Sequence, residues 1–312
     1  LIATCGMVLF APLLAKWAGL SGVFWATAVL ACAAMLLVAF VVPKSVSKAP
    51  MAETLALPQS LGAMLKHRQL LQLDIGVLLL HLMLTAMFVV LPSLLQQYGL
   101  ASTQHWQFYL PLLLGSFILM IPMMIIAMRK AQEKAFFLLA IALLSSAMLL
   151  ALLWPGFWPL VAALLLFFIG FNFLEASLPA LVSRIAPAGQ RGSAMGIYSS
   201  SQFFGAFLGG ILGGVVVQHV GHQSLFAVLA VIGLIWLLVA STLRIPPRAQ
   251  RLSLAVSIQS EQQAKQLASQ LTALAGVQEV TLLLAEQRCY LKVSSAQFDT
   301  AQAQAVITAA GA

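Results

Sequence analysis

The sequence predicts an all-α polytopic membrane protein that ends in a small α+β domain. Its 312 residues are 62% hydrophobic and only 8% charged, with a mean hydropathy of +1.00, whereas soluble domains carry about a quarter charged residues. Uncharged runs long enough to cross a hydrocarbon core of about 30 Å recur along most of the chain. After Leu243, strand-like alternation with moderate charge replaces these runs.

Eight apolar segments are predicted as membrane spans, because polar, proline or glycine residues separate them. They cover residues 1–18, 22–42, 70–95, 108–128, 134–153, 158–182, 193–217 and 224–243. The separator at residues 154–159 carries Trp154 and Trp158, which suit the membrane interface. Leu1 stands inside an apolar run with no initiator methionine, so we expect the first span to lack its beginning.

Basic residues on alternate loops predict the orientation of the spans. One side of the membrane receives Lys44, Lys48, Lys66, Arg68, Arg129, Lys130, Lys134, Arg184, Arg191, Arg244, Arg248 and Arg251. The other side receives only Lys16. Since positive charge stays on the cytoplasmic side, the prediction is a multi-pass inner-membrane protein with loop 43–69 and the C-terminus in the cytoplasm. The net charge of +8 then reflects topology, and no nucleic-acid partner is expected.

The tail has the pattern of a second, soluble domain. Residues 252–259 alternate like a strand, and residues 261–275 have helical spacing that ends at Gly276. Residues 279–285 and 289–293 are predicted to form a hairpin across 286–288, and residues 299–310 a closing helix. The order βαββα is a ferredoxin-like pattern without its last strand.

Two acidic residues fall in the spans, where a carboxylate costs about 2.5–3.5 kcal/mol at mid-bilayer. Glu175 lies near the middle of its span, and Asn172 adds a second polar group on the same helical face. A carboxyl group there can take up and release a proton, so we predict Glu175 as the leading proton carrier and Asn172 as a substrate-cavity residue. The alternative is a protonated Glu175 that hydrogen-bonds a neighbouring helix.

The third segment carries a polar face. Asp74 and His81 are two helical turns apart and share this face with Thr85 and Phe88. Imidazole titrates readily between pH 5 and 8, so His81 and Asp74 join the predicted proton-coupling set, with Thr85 and Phe88 lining the cavity. A helix-bridging role for His81, and a cap or interface role for Asp74, remain open at this point.

The seventh segment carries Gly205, Gly209 and Gly213 at a spacing of four. Small residues at that spacing let two helix backbones approach closely, which predicts a packing stripe. Tyr198 and Gln202 continue the stripe and are predicted cavity residues.

No catalytic constellation is present, and we predict no enzymatic activity, no cofactor and no metal site. HExxH, GxSxG and Walker A motifs are absent, so an ion gradient is the simplest energy source. Cys5, Cys32 and Cys289 are too widely spaced for a CxxC motif or a disulfide framework.

Two stretches carry a resemblance to a known family: FNFLEASLP at residues 171–179 and PAGQRGSAMGIYSSSQFFG at residues 187–205. They closely resemble the YajR-type transporters of the major facilitator superfamily, and the similarity covers essentially the whole chain. The resemblance implies that the spans are helices 5 to 12 of a twelve-helix transporter. Residues 1–42 would end the first half, 43–69 join the halves, 70–243 form the second half, 244–250 be a linker, and 251–312 be the small cytoplasmic domain called YAM.

Individual motifs of the family match in part. The antiporter motif of helix 5 corresponds to residues 6–12, where Ala11 replaces a glycine before Pro12 and Lys16 stands where small residues are common. By this resemblance Pro12 is a helix-packing residue. Residues 128–134 keep the charge of a family signature but not its glycines. The tail also resembles heavy-metal-associated domains in element order, but it lacks their CxxC, so no metal delivery is expected.

The function predicted from these observations is a proton-coupled secondary transporter that exports amphipathic compounds by alternating access. Its partners would be protons, an unidentified small-molecule substrate and the lipid bilayer. A membrane sensor, in which the tail binds a ligand or partner and the helices only signal, is the alternative. In a third hypothesis the tail gates the transporter or mediates its self-association.

Overall fold

A computed structural model describes residues 2–41, 62, 64–186, 191–245, 249–256, 261–283, 288–294 and 298–311. The chain divides into two compact units, Leu1–Ile245 and Pro246–Ala312. The first consists of helices and the second combines strands and helices.

The first unit contains long helices. They are α1 (Ile2–Phe40), α2 (Arg68–Gln97), α3 (His105–Arg129), α4 (Glu133–Leu153), α5 (Phe157–Ile185), α6 (Arg191–Val220) and α7 (His222–Ser241), with a 3₁₀ turn at Ser102–Gln104 before α3. Helix α1 is interrupted at Gly19, whose φ of 66° is left-handed and favours glycine. This break falls between the first two predicted segments.

Seven helices of the described ranges are long and apolar enough to cross a membrane. They are Ser21–Phe40 in α1 and the six helices from α2 to α7, the α3 span being counted from Ser102. The prediction of a helical, polytopic chain is therefore confirmed. The predicted span at residues 1–18 is not among them: it corresponds to the part of α1 that precedes Gly19.

Helix boundaries differ from the predicted ones by a few residues, mostly because polar end residues continue the helical backbone. Arg68 already belongs to α2, two residues before the predicted start of this span at Leu70; most of the predicted connecting loop, residues 43–61 and 63, lies outside the described residues. The His67 side chain caps α2 by accepting a hydrogen bond from the Leu70 amide. Helix α7 ends earlier than predicted, at Ser241.

The most extensive helix–helix contact joins α2 to α6, and α4 packs against both α5 and α7. The core between these helices is apolar and fully buried at Leu80, Met83, Leu144 and Phe167. Large apolar side chains cover the outside, among them Trp158, which is 76% exposed beside the α4–α5 turn. An apolar exterior of this kind suits lipid as the surrounding solvent.

The second unit is a three-stranded antiparallel sheet with two helices. Its elements are β1 (Ala249–Ala255), α8 (Glu261–Thr272), β2 (Val277–Leu283), β3 (Arg288–Ser294) and α9 (Thr300–Gly311). The strand order is β1-β3-β2, with Leu291 of β3 opposite Leu252 on one side and Val280 on the other. Leu267, Leu271 and Cys289 are buried in its core.

Tail boundaries also depart from prediction. Strand β1 begins three residues before the predicted Leu252 and ends at Ala255, so Val256 is not part of it. Residues 257–260 lie outside the described residues. The same holds for residues 284–287, which include the first two positions of the predicted hairpin turn at 286–288. Helix α8 ends at Thr272, ahead of Gly276, whose φ is 85°.

Candidate functional site

Three helices bring His81, Glu175 and Gln202 together. Gln202 Nε2 of α6 lies 2.8 Å from His81 Nε2 of α2 and 3.5 Å from Glu175 Oε1 of α5. His81 Nε2 lies 3.6 Å from Glu175 Oε2. The sequence predicted all three residues, but only the fold places Gln202 between the other two.

The close approach of α2 and α6 makes this geometry possible. Gly205, Gly209 and Gly213 are buried against the α2 backbone. A Cβ atom added at Gly205 or Gly209 would overlap the backbone of Leu78 or Leu82, and one at Gly213 would lie 3.0 Å from the carbonyl oxygen of Ala86. Atoms of real side chains cannot come so near to a backbone, so glycine sets the spacing.

The register of this contact places the polar residues. Gln202 lies three residues before Gly205, and His81 lies three residues after Leu78, which Gly205 touches. Since the two helices run in the same direction along the contact, this register offsets Gln202 and His81 along the helix axes, and the lengths of the two side chains span the offset and bring their Nε2 atoms to 2.8 Å.

The hydrogen bonds select one tautomer of the neutral His81 ring. Its Nδ1 lies 3.2 Å from the carbonyl oxygen of Val77, which can only accept, so Nδ1–H donates there. The neutral ring then has Nε2 as an acceptor for the Gln202 amide, whose second N–H points to Glu175 Oε1. Glu175 Oε2 has no hydrogen-bond donor among the described residues.

Protonation of His81 would change these bonds. Nε2 would then become a donor, so that Gln202 Nε2 could no longer donate to it and the nearby Glu175 Oε2 would be an acceptor. The cluster thus places an imidazole and a carboxyl group within 3.6 Å of each other. Within the described ranges, no group of three or more His, Cys, Asp or Glu side chains could hold a metal ion.

Aromatic rings surround the cluster. The Phe171 ring packs edge-on against His81 with a centroid distance of 5.7 Å. Phe88 contacts Phe168 and Tyr109 at 6.2 and 6.0 Å. Of these aromatic residues, only Phe88 was predicted from the sequence as a cavity residue. Phe171 could have been predicted as well, because it stands one helical turn before Glu175 and so shares its face.

A second polar layer lies closer to the start of α2. Asp74 is 6% exposed, and His67 rather than Asp74 caps the helix. Tyr198, one turn before Gln202, is also buried, and its hydroxyl has no hydrogen-bond partner in the described part of the chain. This hydroxyl lies within electrostatic range of the carboxyl groups of both Glu175 and Asp74.

Other predicted site residues lie outside the cluster. Asn172 donates to Ser116 Oγ of α3 at 3.0 Å, and Ser116 donates to a backbone carbonyl of its own helix. Thr85 faces Gly210 of α6, where an added Cβ would lie 3.9 Å from its methyl group. Pro12 belongs to α1, but its side chain lies outside the described part.

An ion pair that the sequence analysis missed joins α5 to α4. Arg184 Nη2 lies 2.5 Å from Glu133 Oε2, and each side chain is only 20% exposed. Sequence reasoning assigned Arg184 to topology alone. The sequence feature that could have indicated this ion pair is the charged stretch 128–134, which contains Glu133.

Comparisons with known proteins agree with this architecture. Residues 73–287 match the Major Facilitator Superfamily. The inner membrane transport protein YajR of Escherichia coli K12 is 35% identical over 288 residues, which cover 91% of this chain and 63% of that protein. An uncharacterized transporter of Buchnera aphidicola subsp. Acyrthosiphon pisum is 29% identical over 206 residues, 65% of this chain and 52% of the relative. A counterpart from Buchnera aphidicola subsp. Schizaphis graminum is 30% identical over 236 residues, 73% of this chain and 59% of the relative.

The chain therefore spans between about half and two thirds of the length of these relatives. The family match covers well over half of the chain and includes all three helices that carry the His81–Gln202–Glu175 cluster. From the family match and the membrane-spanning helices together, we conclude that this chain belongs to the Major Facilitator Superfamily and is of the YajR type.

Proposed function

We propose that the chain is part of a proton-coupled secondary active transporter of the inner membrane, which exports amphipathic compounds by alternating access. Glu175 is the leading proton carrier and His81 the second, with Asp74 as a further proton-accepting group. The observation that carries this proposal is the position of the Gln202 amide between the His81 ring and the Glu175 carboxyl.

Proton coupling needs a link between protonation and helix position. The cluster supplies one, because its three members stand on α2, α5 and α6. With neutral His81, the Gln202 amide bridges α2 and α6 and also reaches α5. A proton on His81 favours a direct contact with Glu175 instead, so the relative stability of two helix arrangements depends on proton occupancy.

The surroundings of the cluster favour an amphipathic substrate. Glu175 and Phe88 are each 40% exposed on the described helices, so both a carboxyl group and an aromatic ring are accessible. Thr85, Asn172, Tyr198 and Gln202 complete the proposed substrate-cavity set. Aromatic and polar groups side by side bind the apolar and polar parts of one molecule.

The proposed domain plan follows the resemblance to twelve-helix relatives. Residues 1–42 end the first half, 43–69 join the halves, and 70–243 form the second half. Residues 251–312 are proposed as a cytoplasmic YAM domain of ferredoxin-like fold, because the order β1-β3-β2 matches that fold without its fourth strand. Basic residues at the ends of the spans support a cytoplasmic C-terminus.

The test is Glu175→Gln in a full-length transporter that carries this sequence, reconstituted in vesicles. The variant keeps the size and hydrogen-bonding capacity of the side chain but cannot release a proton. We expect pH-gradient-driven flux to be lost while substrate counterflow without a gradient persists. Asp299→Asn, at an exposed carboxylate of the second unit, is the matched control and should behave like the native protein. Normal gradient-driven flux in the Glu175→Gln protein would remove this residue from the mechanism.

The separate compact unit at the C-terminus favours a second candidate function, a membrane sensor. In that case the tail binds a ligand or partner and the helices only signal. The same vesicles distinguish the two functions, because a sensor shows no counterflow and its output disappears when residues 251–312 are deleted.

A further inference from the structure

A polar cleft opens where α2 begins and α7 ends. Its volume is about 530 Å³, and its lining consists of Arg68, Gln69, Gln72, Thr242 and Arg244. Gln72 Nε2 donates to Thr242 Oγ1 at 2.8 Å, which ties the two helices together beside the cleft. Since both helices are membrane spans, the cleft lies at the membrane surface.

The cleft concentrates uncompensated positive charge. Arg68 and Arg244 are exposed, and neither has a carboxylate within ion-pair distance in the described ranges. The first turn of α2 contains no acidic residue, so the positive end of its dipole adds to the field of the two guanidinium groups, while the negative end of the α7 dipole at Thr242 offsets part of it. Both guanidinium groups line the same cleft, so an anionic ligand bound there would be attracted by each of them.

Apolar surface continues from the cleft into the membrane. Ile75 stands three residues after Gln72 on α2, and Leu238 stands four residues before Thr242 on α7. Both are exposed, at 40% and 72%. A molecule with a charged head in the cleft can therefore lay hydrocarbon chains against the same two helices.

We propose that this cleft binds a phosphate-bearing anion, the anionic headgroup of a phospholipid in the leaflet at which α2 begins. Guanidinium groups bind phosphate oxygens in a fork geometry that ammonium groups cannot reproduce. The side-chain amides of Gln69 and Gln72 suit the hydroxyl and ester oxygens of a glycerol headgroup, whereas the Thr242 hydroxyl already donates to the Val239 carbonyl. A volume of about 530 Å³ accommodates such a headgroup with its waters.

The experiment measures ligand-induced changes in melting temperature, and lipid adducts by native mass spectrometry, on the purified chain in detergent. The probes are phosphatidylglycerol, zwitterionic phosphatidylcholine and inorganic phosphate. The test variant is R68Q/R244Q. The matched control is R129Q/K130Q, which removes the same charge from exposed positions at the end of α3.

We expect phosphatidylglycerol to stabilise the native chain and the control, and phosphatidylcholine to have little effect. Each guanidinium–phosphate contact inside the cleft contributes about a fivefold gain in affinity, which R129Q/K130Q keeps, so R68Q/R244Q should bind phosphatidylglycerol roughly 25-fold more weakly than this control. R244Q alone, which changes a residue beyond the end of α7, should lose about fivefold and tests the same point if the double variant is poorly folded.

Inorganic phosphate tests whether the anion bound in the cleft is a lipid headgroup or free phosphate. Failure of phosphate to compete with phosphatidylglycerol supports a lipid site. Competition that depends on both arginines supports a phosphate site filled from solution and overturns the lipid assignment. Equal binding of phosphatidylglycerol by R68Q/R244Q and R129Q/K130Q would overturn the site altogether.

Discussion

Gln202 and His81 face each other across the α2–α6 contact, with their Nε2 atoms 2.8 Å apart. The Gln202 amide is the hydrogen-bond donor of this pair, because His81 Nδ1–H is engaged with the Val77 carbonyl. Gln202 thus links α6 to the His81 imidazole on α2 and to the Glu175 carboxyl on α5.

Replacing Gln202 by leucine should impair gradient-driven flux more than it impairs folding. Gln202→Leu keeps the approximate volume but leaves His81 Nε2 and Glu175 Oε1 without this donor, which weakens the bridged helix arrangement by about 1–3 kcal/mol. A change of that size shifts the population of the bridged arrangement roughly 5- to 150-fold, so gradient-driven flux should fall. Flux in reconstituted vesicles is the measurement. Ser200→Ala, at an exposed position on the same helix, is the control. Equal flux in the two variants would show that the bridge has no functional role.

The glycine stripe gives a prediction about stability. Gly209→Ala places a methyl group into the backbone of Leu82, and overpacking of this kind costs about 1–3 kcal/mol. Gly214→Ala adds the same methyl group where no atom lies within 4 Å, and alanine is the better helix former by roughly 0.5–1 kcal/mol. Thermal unfolding in detergent should therefore rank Gly209→Ala below the native chain and Gly214→Ala at or above it.

Removing one member of the Arg184–Glu133 ion pair should destabilise the contact between α4 and α5. Arg184→Gln leaves Glu133 without this partner in a setting where both side chains are mostly buried, so we expect a loss of about 1–3 kcal/mol. The double variant Glu133→Gln/Arg184→Gln should recover part of that loss, since both charges of the pair are then removed together. Additive losses in a double-mutant cycle of melting temperatures would contradict a direct interaction.

Cys289 should resist alkylation in the folded tail. Burial raises the pKa of its thiol to about 11 and also blocks access, so at pH 8 only about one thiol in a thousand is the reactive thiolate. Because the raised pKa disfavours the thiolate, labelling should accelerate as the pH rises towards 11 and after unfolding in denaturant.

The labelling experiment uses a Cys5→Ala/Cys32→Ala background and a water-soluble maleimide. Ser269→Cys in a Cys289→Ala version of this background introduces an exposed thiol on α8 and is the fast-reacting control. Rapid native-state labelling of Cys289 would mean that the buried position between β1 and β2 is wrong.

Several features of the site could be predicted from residues alone because they are local. Glu175 stands out as a carboxylate within an apolar run, and the glycines every fourth residue indicate close packing, since helical geometry maps spacing onto a face. The role of Asp74 was less accessible. A position near the start of a span suggested a cap, yet the side chain is buried and His67 provides the cap.

The partners of these residues could not be predicted, because they depend on which helices pack together. Asn172 seemed a companion of Glu175 by spacing, but its amide reaches Ser116 on α3. Arg184 matched the pattern of a topology signal, yet it also pairs with Glu133. Asn172 and Ser116 are 56 positions apart in the sequence, and Arg184 and Glu133 are 51 positions apart. Each pair therefore meets only after the helices have assembled.

By itself the sequence determined that the chain crosses a membrane repeatedly and ends in a separate unit, because the choice between lipid and water as solvent depends on composition within each segment. Tertiary structure decided that Gln202 stands between His81 and Glu175, and that Arg68 and Arg244 share one cleft. The physical reason is that apolar helices can pack in lipid in many ways. The close backbone contact of Gly205 and Gly209 with α2 selects the pairing and register that bring these side chains together.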